Sequence, residues 1–493
     1  MKAPMGFFDS QPIGRILNRM SKDIESVDQQ IWLFAFLCTI SSAGLIGTGA
    51  ILIYTNAYMA ALTVPLLAFY FVMLVWFQRS NREFKRFEST NRSPLYSHIS
   101  ETLSGISTVK AYGVENEFVG RQRMLMDNAN VPFNLKLHAS IWIGIRMEIL
   151  GTSLTLLLAL LGVSSAIDPS SIGVALTFAL GLTGLLNLLL LSSSALETEF
   201  NSVERLSYYC NGIPQEGDAV NEGDPDEKSW PEDGTITFDN ITMSYPSRPD
   251  VDILKGITLD VKTGEKIGVV GRTGSGKSTL MTALFRIVDL KAGKILISGK
   301  DISTLGLSTL RSRLQIIPQE PVLFKGTIRM NLDLEAKYPD TDVWDVLDRI
   351  GLKPYVSGLN DKLESQVTEN GENLSVGQRQ LICLGRAMLT KPSILVMDEA
   401  TASVDAEADL LIQKSIKTHF SQTTVLSIAH RLNTIADFDR VLVLSDGVKI
   451  EYDSPNSLLA NPKGLFSQLA DATGPSNSAL IRSIAFKKSE IKA

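Results

Sequence analysis

Four long stretches without a charged residue constrain this 493-residue chain more than any other feature. They cover residues 31–54, 57–77, 149–167 and 170–196. As a helix, the first stretch would extend about 36 Å, enough to cross a hydrocarbon core of about 30 Å. A single such stretch could be a buried core helix. Four in succession predict four membrane-spanning helices.

The positions of Lys and Arg predict how these spans are oriented. The short links between the first and second stretches and between the third and fourth carry neither residue, whereas residues 2–22 and 78–140 carry many. Because basic loops face the cytosol, both termini and the long middle segment are expected there.

The first stretch is too long for a cleaved signal peptide. The three widely spaced cysteines fit a reducing cytosolic face and give no disulfide framework or metal spacing.

The middle segment is expected to be helical. Apolar residues between positions 84 and 109 recur at helical spacing. Gly105 and Gly113 interrupt this pattern, and Pro94 marks a predicted break. We predict two long helices that continue the spans into the cytosol. An independent soluble insertion is the alternative, but the segment has few apolar residues for a core of its own.

The second half of the chain has a different pattern. Residues 211–233 are rich in Gly, Pro, Asp and Glu, which predicts a solvated linker after a membrane region over 1–210. From 234 to 470, short β-branched runs alternate with amphipathic helices, which indicates an α/β domain with a largely parallel sheet. The tail, 471–493, is expected to be disordered, with weak attraction to a membrane surface as the alternative. The net charge of -6 gives no basic field for nucleic acid.

Residues 271–278 carry a phosphate-binding pattern. They match G-x-x-x-x-G-K-[ST] between an apolar strand and a helix, where backbone N–H groups and the helix N-terminus favour phosphate oxygens. Lys277 is expected to reach the β- and γ-phosphates, and the Ser278 hydroxyl to bind Mg²⁺. The predicted nucleotide contacts are Gly271, Arg272, Thr273, Gly274, Ser275, Gly276, Lys277, Ser278 and Thr279.

Two further apolar strands end in residues suited to phosphate chemistry. The strand at 393–398 ends in Asp398 and Glu399, at the sheet edge where ligands bind in α/β proteins. We expect Asp398 to bind Mg²⁺ and Glu399 to act as general base on the attacking water, although an acidic pair can also be a solvated surface. The strand TTVLSIAH ends in His430. We expect His430 to contact the γ-phosphate or this water; the alternative is a histidine buried in the core.

Two further predictions complete the nucleotide site. Gln319, in the segment QIIPQEP, is expected to sense Mg²⁺ and the attacking water. Tyr245 is expected to stack on the adenine ring.

The order of these motifs resembles that of ABC transporters. Residues 374–378, LSVGQ, followed by RQLICLGRA, resemble the family's signature sequence. With the phosphate loop, the Gln319 loop, ILVMDEA, the ASVD turn ending at Asp405 and His430, the resemblance covers 235–470. The segments FFDSQPIGRILNRMSKDIESVD and SPLYSHISETLSGISTVKAYG resemble the second membrane domain of subfamily C, the multidrug-resistance-associated proteins, and in particular fungal oligomycin-resistance-type permeases.

The resemblance implies a multi-domain fold and a mechanism. The expected fold is an incomplete, four-span, type IV exporter-like helical domain followed by an α/β P-loop nucleotide-binding domain. Two such nucleotide domains close head to tail around ATP. Ser375, Gly377, Gln378 and Asp405 then contact nucleotide at the shared interface. Closure turns the spans outward, through couplers expected at residues 7–9 and 93–96.

The resemblance also implies a substrate class. Trp142, Arg146 and Glu148 resemble a W-x-x-x-R-x-E pattern that the family links to anionic, amphipathic substrates. An interfacial Trp with a snorkelling Arg is the alternative. The implied activity is ATP-driven export of amphipathic or drug-like organic anions across the plasma or vacuolar membrane. Its partners would be membrane lipid, a small-molecule substrate and a second transporter half.

The chain also departs from the family pattern. The second membrane domain of the family has six spans, and a full transporter has two nucleotide domains, so we expect a truncated product, with a chain that pairs with another polypeptide as the alternative. We expect that 1–493 alone does not transport. An ATP-sensing regulatory subunit and a soluble ABC ATPase are the alternatives. Glu399 and His430 disfavour the first, and the four uncharged stretches disfavour the second.

Overall fold

The structure, a computed structural model, describes residues 2–55, 57–163, 169–226, 230–398, 406–429 and 431–492. The chain divides into two compact units. One unit is Gln11–Ile213, and the other combines Met1–Ser10, which contains helix α1 (Met5–Ser10), with Pro214–Ala493. Glu399, Asp405 and His430 lie outside the described residues, as does the end of the third uncharged stretch.

The first unit is built from helices and has no strand in the part that the structure describes. Its α-helices are α2 (Ile13–Asn18), α3 (Ile31–Thr55), α4 (Ala57–Ser104), α5 (Ile106–Tyr112), α6 (Glu115–Val163) and α7 (Pro169–Ser207). The π-helical turns Arg19–Asp23 and Ser26–Gln30 lie between α2 and α3, and Tyr208–Gly212 continues α7. Four helical segments are long and apolar enough to cross a membrane: Ile13–Tyr54, Thr63–Ser104, Glu115–Leu161 and Ser170–Gly212. The four uncharged stretches fall on them, and α4 and α6 continue well beyond the length that a hydrocarbon core requires.

The break predicted at Pro94 is wrong. Helix α4 runs through Pro94 and ends at Ser104, where Gly105 separates it from α5. Proline removes one helical hydrogen bond, but packing can hold the turns on both sides. Here His98 stacks on Phe118 of α6 with ring centroids 5.5 Å apart, and Glu88 pairs with Lys136 of α6 at 3.5 Å. Contacts with a neighbouring helix therefore hold α4 together across the proline.

Apolar side chains form one core within the helical unit. Leu52, Ile143, Leu154 and Leu182 are almost completely buried in it. The buried Tyr70 hydroxyl donates a 2.7 Å hydrogen bond to a backbone carbonyl of α7. Because a hydroxyl in an apolar environment needs a partner, this bond fixes α4 against α7.

The second unit contains two main sheets. Its strands are β1 (Ile236–Ser244), β2 (Asp252–Val261), β3 (Lys266–Gly271), β4 (Ala292–Ile297), β5 (Lys300–Asp301), β6 (Leu314–Ile317), β7 (Gly326–Thr327), β8 (Gln366–Val367), β9 (Ile394–Asp398), β10 (Thr424–Ile428), β11 (Arg440–Ser445) and β12 (Val448–Asp453). The larger sheet has the order β12-β11-β3-β10-β9-β6, parallel except for β12. A separate antiparallel sheet has the order β2-β1-β4-β5, and β7 pairs with β8.

Short helices surround these sheets. They are α8 (Lys277–Leu284), α9 (Leu307–Arg311), α10 (Ile328–Leu332), α11 (Asp340–Arg349), α12 (Lys353–Ser357), α13 (Val376–Thr390), α14 (Ala406–His419), α15 (Leu432–Ile435), α16 (Pro455–Leu459), α17 (Leu465–Asp471) and α18 (Pro475–Lys492). One apolar core lies between the two sheets and α8, and another lies among α10, α11, α13 and their neighbours. Helix α13, which carries the signature, thus packs with α10 and α11 against strands of the larger sheet, in a core separate from the one that contains α8.

Two sequence expectations for this unit are corrected. The tail is not disordered over 475–492, because it forms α18 and buries Ile481 and Ala485 against α15–α17. The linker is not simply solvated either. From Pro214 it belongs to the second unit, and Trp230 is buried with its indole N–H donating to the carbonyl of Ile297. In both segments, a few buried apolar side chains fix the backbone although the average composition is polar.

Candidate nucleotide-binding site

The phosphate loop connects buried strand β3 to the N-terminus of α8. Gly276 is the N-cap of α8 and has a φ of 96°, a conformation that side chains other than glycine rarely adopt. This sharp turn directs the N-terminus of α8 toward the loop. A helix N-terminus presents unbonded N–H groups and a positive dipole end, which together favour an anion.

Two buried polar side chains in this loop are suited to a polyphosphate ligand. The Lys277 ammonium donates to the carbonyls of Gly271 and Arg272 at 2.9 and 3.2 Å, so it is held inside the loop. The Ser275 hydroxyl is buried and makes no hydrogen bond to the residues that the structure describes. A buried cation beside an unsatisfied donor suits phosphate oxygens. Ser278, in contrast, is exposed on the first turn of α8, where a Mg²⁺ ligand is expected.

Asp398 and Gln319 lie at the same edge of the sheet as this loop. Asp398 ends β9, and Gln319 follows β6 by two residues. Ile428 of β10 pairs with Asp398 on one side and with Val269 of β3 on the other. Because neighbouring strands are about 4.8 Å apart, the backbone of Asp398 lies about 10 Å from that of Val269. The topology thus brings these predicted residues to one edge.

The same edge carries Ser278, Asp398 and Gln319, the three residues predicted to contact Mg²⁺. Within the described ranges, no group of three or more His, Cys, Asp or Glu side chains could hold a metal ion. Mg²⁺ commonly takes one or two protein oxygens and completes its shell with water and substrate phosphates. Ser278 and Asp398, with Gln319 nearby, fit that pattern. Their assignment to Mg²⁺ stays a prediction.

Tyr245 lies directly after β1 and is half-buried. Its hydroxyl is 3.3 Å from the Thr279 hydroxyl on the first turn of α8, and its ring packs against the core between the sheets. The expected adenine-stacking residue is therefore held next to the phosphate loop. Stacking of Tyr245 on adenine stays a prediction.

The signature residues begin α13. Ser375 is the N-cap, its hydroxyl accepts from the Gln378 N–H at 3.1 Å, and Gln378 accepts from the Ser375 N–H at 3.0 Å. This reciprocal capping box fixes the first turn of the helix. Ser375 remains exposed and Gly377 is buried. The helix N-terminus therefore faces outward, as contact with nucleotide on another domain would require.

A set of positioning residues around the Gln319 loop was missed by sequence reasoning. Arg386 of α13 donates to the Asn331 side chain and the Val322 carbonyl, both at 3.1 Å, and burial lowers the pKa of its guanidinium. Asn331, fully buried, bonds in turn to both backbone groups of Phe324. Gln380, also on α13, donates to the Pro318 carbonyl at 3.0 Å. The loop after Gln319 is thus tied to the signature helix. Polar residues inside the apolar run of α13 were the available signal.

The predicted substrate residues lie on α6 in the helical unit. The Arg146 guanidinium stacks 3.5 Å from the Trp142 ring centroid, and Trp76 of α4 packs against the same indole at 5.8 Å. Trp142 is 38% exposed, and Glu148 is exposed two residues beyond Arg146. The spacing of four residues does bring Trp142 and Arg146 together on one helix face.

The fold and this site define a P-loop nucleotide-binding protein with an integral membrane region. Two family models match the chain: ABC transporter transmembrane region over residues 1–189, and ABC transporter over 254–402. Together they cover more than half of it. The chain therefore belongs to the ABC transporter family, and its second unit carries that family's ATP-binding domain.

Comparison with curated proteins gives relatives of subfamily C. ABC transporter C family member 3 of Dictyostelium discoideum is 41% identical over 99% of this chain and 35% of that protein. ATP-binding cassette sub-family C member 2 of Rattus norvegicus is 43% identical over 97% of this chain and 31% of that protein. Metal resistance protein YCF1 of Saccharomyces cerevisiae is 40% identical over 96% of this chain and 32% of that protein. The chain spans about a third of the length of these relatives.

A solved structure shares the fold. A bacterial Atm1-family ABC exporter, determined with ATP bound, matches with a TM-score of 0.80 at 24% identity, over 96% of this chain and 83% of that one. The comparison supports the predicted combination of an exporter-type helical region with an α/β nucleotide-binding domain.

Proposed function

We propose that this chain supplies one membrane region and one ATP-binding domain to an exporter driven by ATP hydrolysis. The observation that carries the proposal is the loop 271–278, where a buried ammonium and a buried, unsatisfied hydroxyl surround a helix N-terminus. We assign the membrane region to 1–210 and the ATP-binding domain to 234–470. The relatives in subfamily C support the exporter class.

The residues of the site have separate tasks in this proposal. Lys277 and the N–H groups of the loop bind the β- and γ-phosphates, and Tyr245 orients the adenine. Ser278 and Asp398 hold Mg²⁺, which neutralises phosphate charge when it is bound. Gln319 follows the state of this centre through the loop tied to α13. Glu399 and His430, assigned from the sequence, orient and deprotonate the attacking water.

The coupling between ATP and transport would pass through α1, the first proposed coupler. This helix belongs to the same compact unit as the nucleotide domain, and a β-carbon at Gly6 would lie 3.4 Å from the Pro246 side chain, next to Tyr245. The second coupler, residues 93–96, lies within α4. ATP would favour a closed pair of nucleotide domains, and closure would shift the spans toward the outward-facing state.

The proposed cargo is an amphipathic organic anion, carried across the plasma or vacuolar membrane. Trp142 offers an aromatic surface and Arg146 a cation, and both are partly exposed on the same face of α6. Trp142→Ala and Arg146→Gln are each expected to weaken photolabelling of the chain by an anionic probe. Substitution of Trp32, an exposed tryptophan on α3, is the control.

Trapping of labelled nucleotide in native membranes tests the ATPase itself. We expect wild type to trap nucleotide with vanadate in the presence of Mg²⁺, whereas Glu399→Gln binds ATP without forming trapped ADP. Equal trapping in both proteins would contradict the role of Glu399. Binding without trapping in the wild type would favour the ATP-sensing regulatory subunit instead.

A further inference from the structure

Residues 214–224, which we call the strap, are docked on the nucleotide domain. The carbonyls of Asp218 and Ala219 accept hydrogen bonds from the Leu307 and Ser308 N–H groups, both at 2.9 Å. These are among the first N–H groups of α9, for which a helix has no internal acceptor. A β-carbon on Gly306 would lie 2.5 Å from the Ala219 carbonyl oxygen, so the strap can approach only a glycine there.

Asp224 anchors the far end of the strap. Its carboxylate accepts from the Gly306 N–H at 2.8 Å, the Thr309 hydroxyl at 2.7 Å and the Asn221 N–H at 3.0 Å. Burial opposes ionisation of Asp224, but these hydrogen bonds, that from Thr309 foremost, hold its pKa below the usual range. The strap is thus fixed by a charged residue that satisfies several donors at once.

Glu216 connects the strap to the helix that follows the phosphate loop. Its two carboxylate oxygens accept from the Arg311 guanidinium at 2.9 and 3.2 Å. The same guanidinium donates to the carbonyls of Phe285 and Arg286 at 3.2 and 2.8 Å, and these residues directly follow α8. A planar guanidinium can hold a carboxylate and two carbonyls at once, and a cation is favourable at a helix C-terminus. Arg311 therefore fixes the end of α8 to the strap.

Glu216 also contacts the N-terminal segment. Its N–H donates a 2.7 Å hydrogen bond to the Lys2 carbonyl, three residues before α1 begins. One strap residue thus bonds through its backbone to the segment that carries the proposed coupler, and through its side chain to the end of α8. Helix α1 also approaches this region at a second place, because a β-carbon at Gly6 would lie 3.4 Å from the Pro246 side chain, but that contact involves neither Glu216 nor Arg311.

We propose that the strap transmits the nucleotide state of the phosphate loop to α1, with Glu216 and Arg311 as the positioning residues that join them. The proposal rests on the proposed function, since it assumes that 271–278 binds ATP. ATP contacts the N-terminus of α8, and the other end of α8 is bonded through Arg311 and Glu216 to the segment before α1. Breaking the Glu216–Arg311 pair should separate ATP binding from its effect on α1.

Hydrogen–deuterium exchange of the full chain in detergent tests this transmission. With Mg-ATP, exchange of residues 2–10 in wild type should slow by about five-fold, the lower end of typical couplings between sites. Glu216→Gln keeps the backbone bond to Lys2 but loses the ion pair. It should lose most of this slowing while its ATP affinity stays unchanged. Arg311→Lys, which cannot hold both the carboxylate and the carbonyls, should do the same.

The control and the outcomes separate this proposal from the function on which it rests. Asp348→Asn removes a surface ion pair to Lys353 in the same domain and should leave the ATP effect at 2–10 intact. If wild type binds ATP but residues 2–10 do not respond, or if both strap variants respond fully, the strap proposal is overturned and ATP binding stands. If wild type binds no ATP, the proposed function fails and the strap proposal fails with it.

Discussion

Lys277 is the single side chain on which nucleotide binding should depend most, because its ammonium is buried inside the phosphate loop. Lys277→Ala removes the charge that the β- and γ-phosphates would contact. Hydrogen bonds to charged groups contribute about 1.5–3 kcal/mol, so ATP affinity should fall by about 10- to 100-fold. Titration of the full chain with a fluorescent ATP analogue measures this change.

A second lysine provides the comparison. Lys291 is half-exposed and pairs with Asp252 at 2.7 Å on the antiparallel sheet, outside the phosphate loop. Lys291→Ala should keep the wild-type affinity. A similar loss in both variants would attribute the effect to the fold rather than to phosphate binding.

Asp333, at the end of α10, should make the stability of the ATP-binding unit depend on pH. Burial opposes its ionisation. Hydrogen bonds from the Tyr338 and Lys337 N–H groups and from Arg329 nevertheless hold its pKa below the usual range. The unfolded carboxyl titrates near pH 4, so Asp333 stabilises the fold fully above that pH and loses this effect as the pH falls through its lower folded pKa. Asp333→Asn should therefore cost about 1–3 kcal/mol at pH 7 and progressively less below about pH 4.

Urea unfolding of the full chain, followed by protease resistance of this unit at pH 7 and below pH 4, measures the difference. Asp345→Asn is the control, because Asp345 pairs with Arg349 on an exposed helix face. Its effect should be small at both pH values. A constant difference between wild type and Asp333→Asn down to low pH would rule out the titration argument.

Sequence reasoning could propose residues that lie close together along the chain, and it missed those whose partners are distant. The phosphate loop occupies the eight consecutive positions 271–278, so its spacing alone was enough to predict a phosphate site. The Arg386–Asn331 contact joins positions 55 apart, and Glu216–Arg311 joins positions 95 apart. No periodicity in a single sequence links such pairs. Glu399, Asp405 and His430 stay predictions.

At the level of elements, α18 should contribute to the stability of the ATP-binding unit. Ile481 is 1% exposed among α15–α17, and Arg482 donates to the Leu459 carbonyl and the Ser467 hydroxyl at 2.9 and 2.8 Å. Ile481→Ala should lower the free energy of unfolding by about 2–4 kcal/mol, because it leaves a cavity as well as losing buried area.

The neighbouring residue makes a matched control for this prediction. Leu480 is 47% exposed, so Leu480→Ala should change the unfolding midpoint little. Urea titration of both variants in the full chain measures the contrast. Equal effects would mean that α18 is not packed as described.

The elements that sequence reasoning predicted wrongly share one cause. Tertiary contacts decided their structure and local composition did not. Pro94 breaks isolated helices, but α4 is supported by α6 on both sides of it. The tail is Ser-rich and basic, yet Ile481 and Ala485 share one face of α18 and find an existing apolar core. Strands β3, β9, β10 and β11, by contrast, are continuous apolar runs that only a buried parallel sheet accommodates, and they were predictable.

For the whole molecule, ATP hydrolysis depends on how many phosphate loops and signatures are available to form complete sites. The chain carries one phosphate loop and one signature. Ser375 and Gln378 hydrogen-bond to each other at the exposed start of α13. An arrangement in which the signature completes another domain's site therefore requires a second nucleotide domain. The resemblance to ABC transporters implies the same requirement.

The last prediction follows from this count. Purified 1–493 in lipid vesicles should bind ATP but should not accumulate a fluorescent organic anion, because a single nucleotide domain has no partner signature to close on. A mixture of Lys277→Ala and Ser375→Arg chains distinguishes a second copy from a different polypeptide. In a head-to-tail pair of copies, the mixture would regain about a quarter of the intact sites, since each mixed pair keeps one complete site. We expect no regain of ATP hydrolysis. Transport by the wild-type chain alone, or recovery in the mixture, would show that two copies of this chain are sufficient.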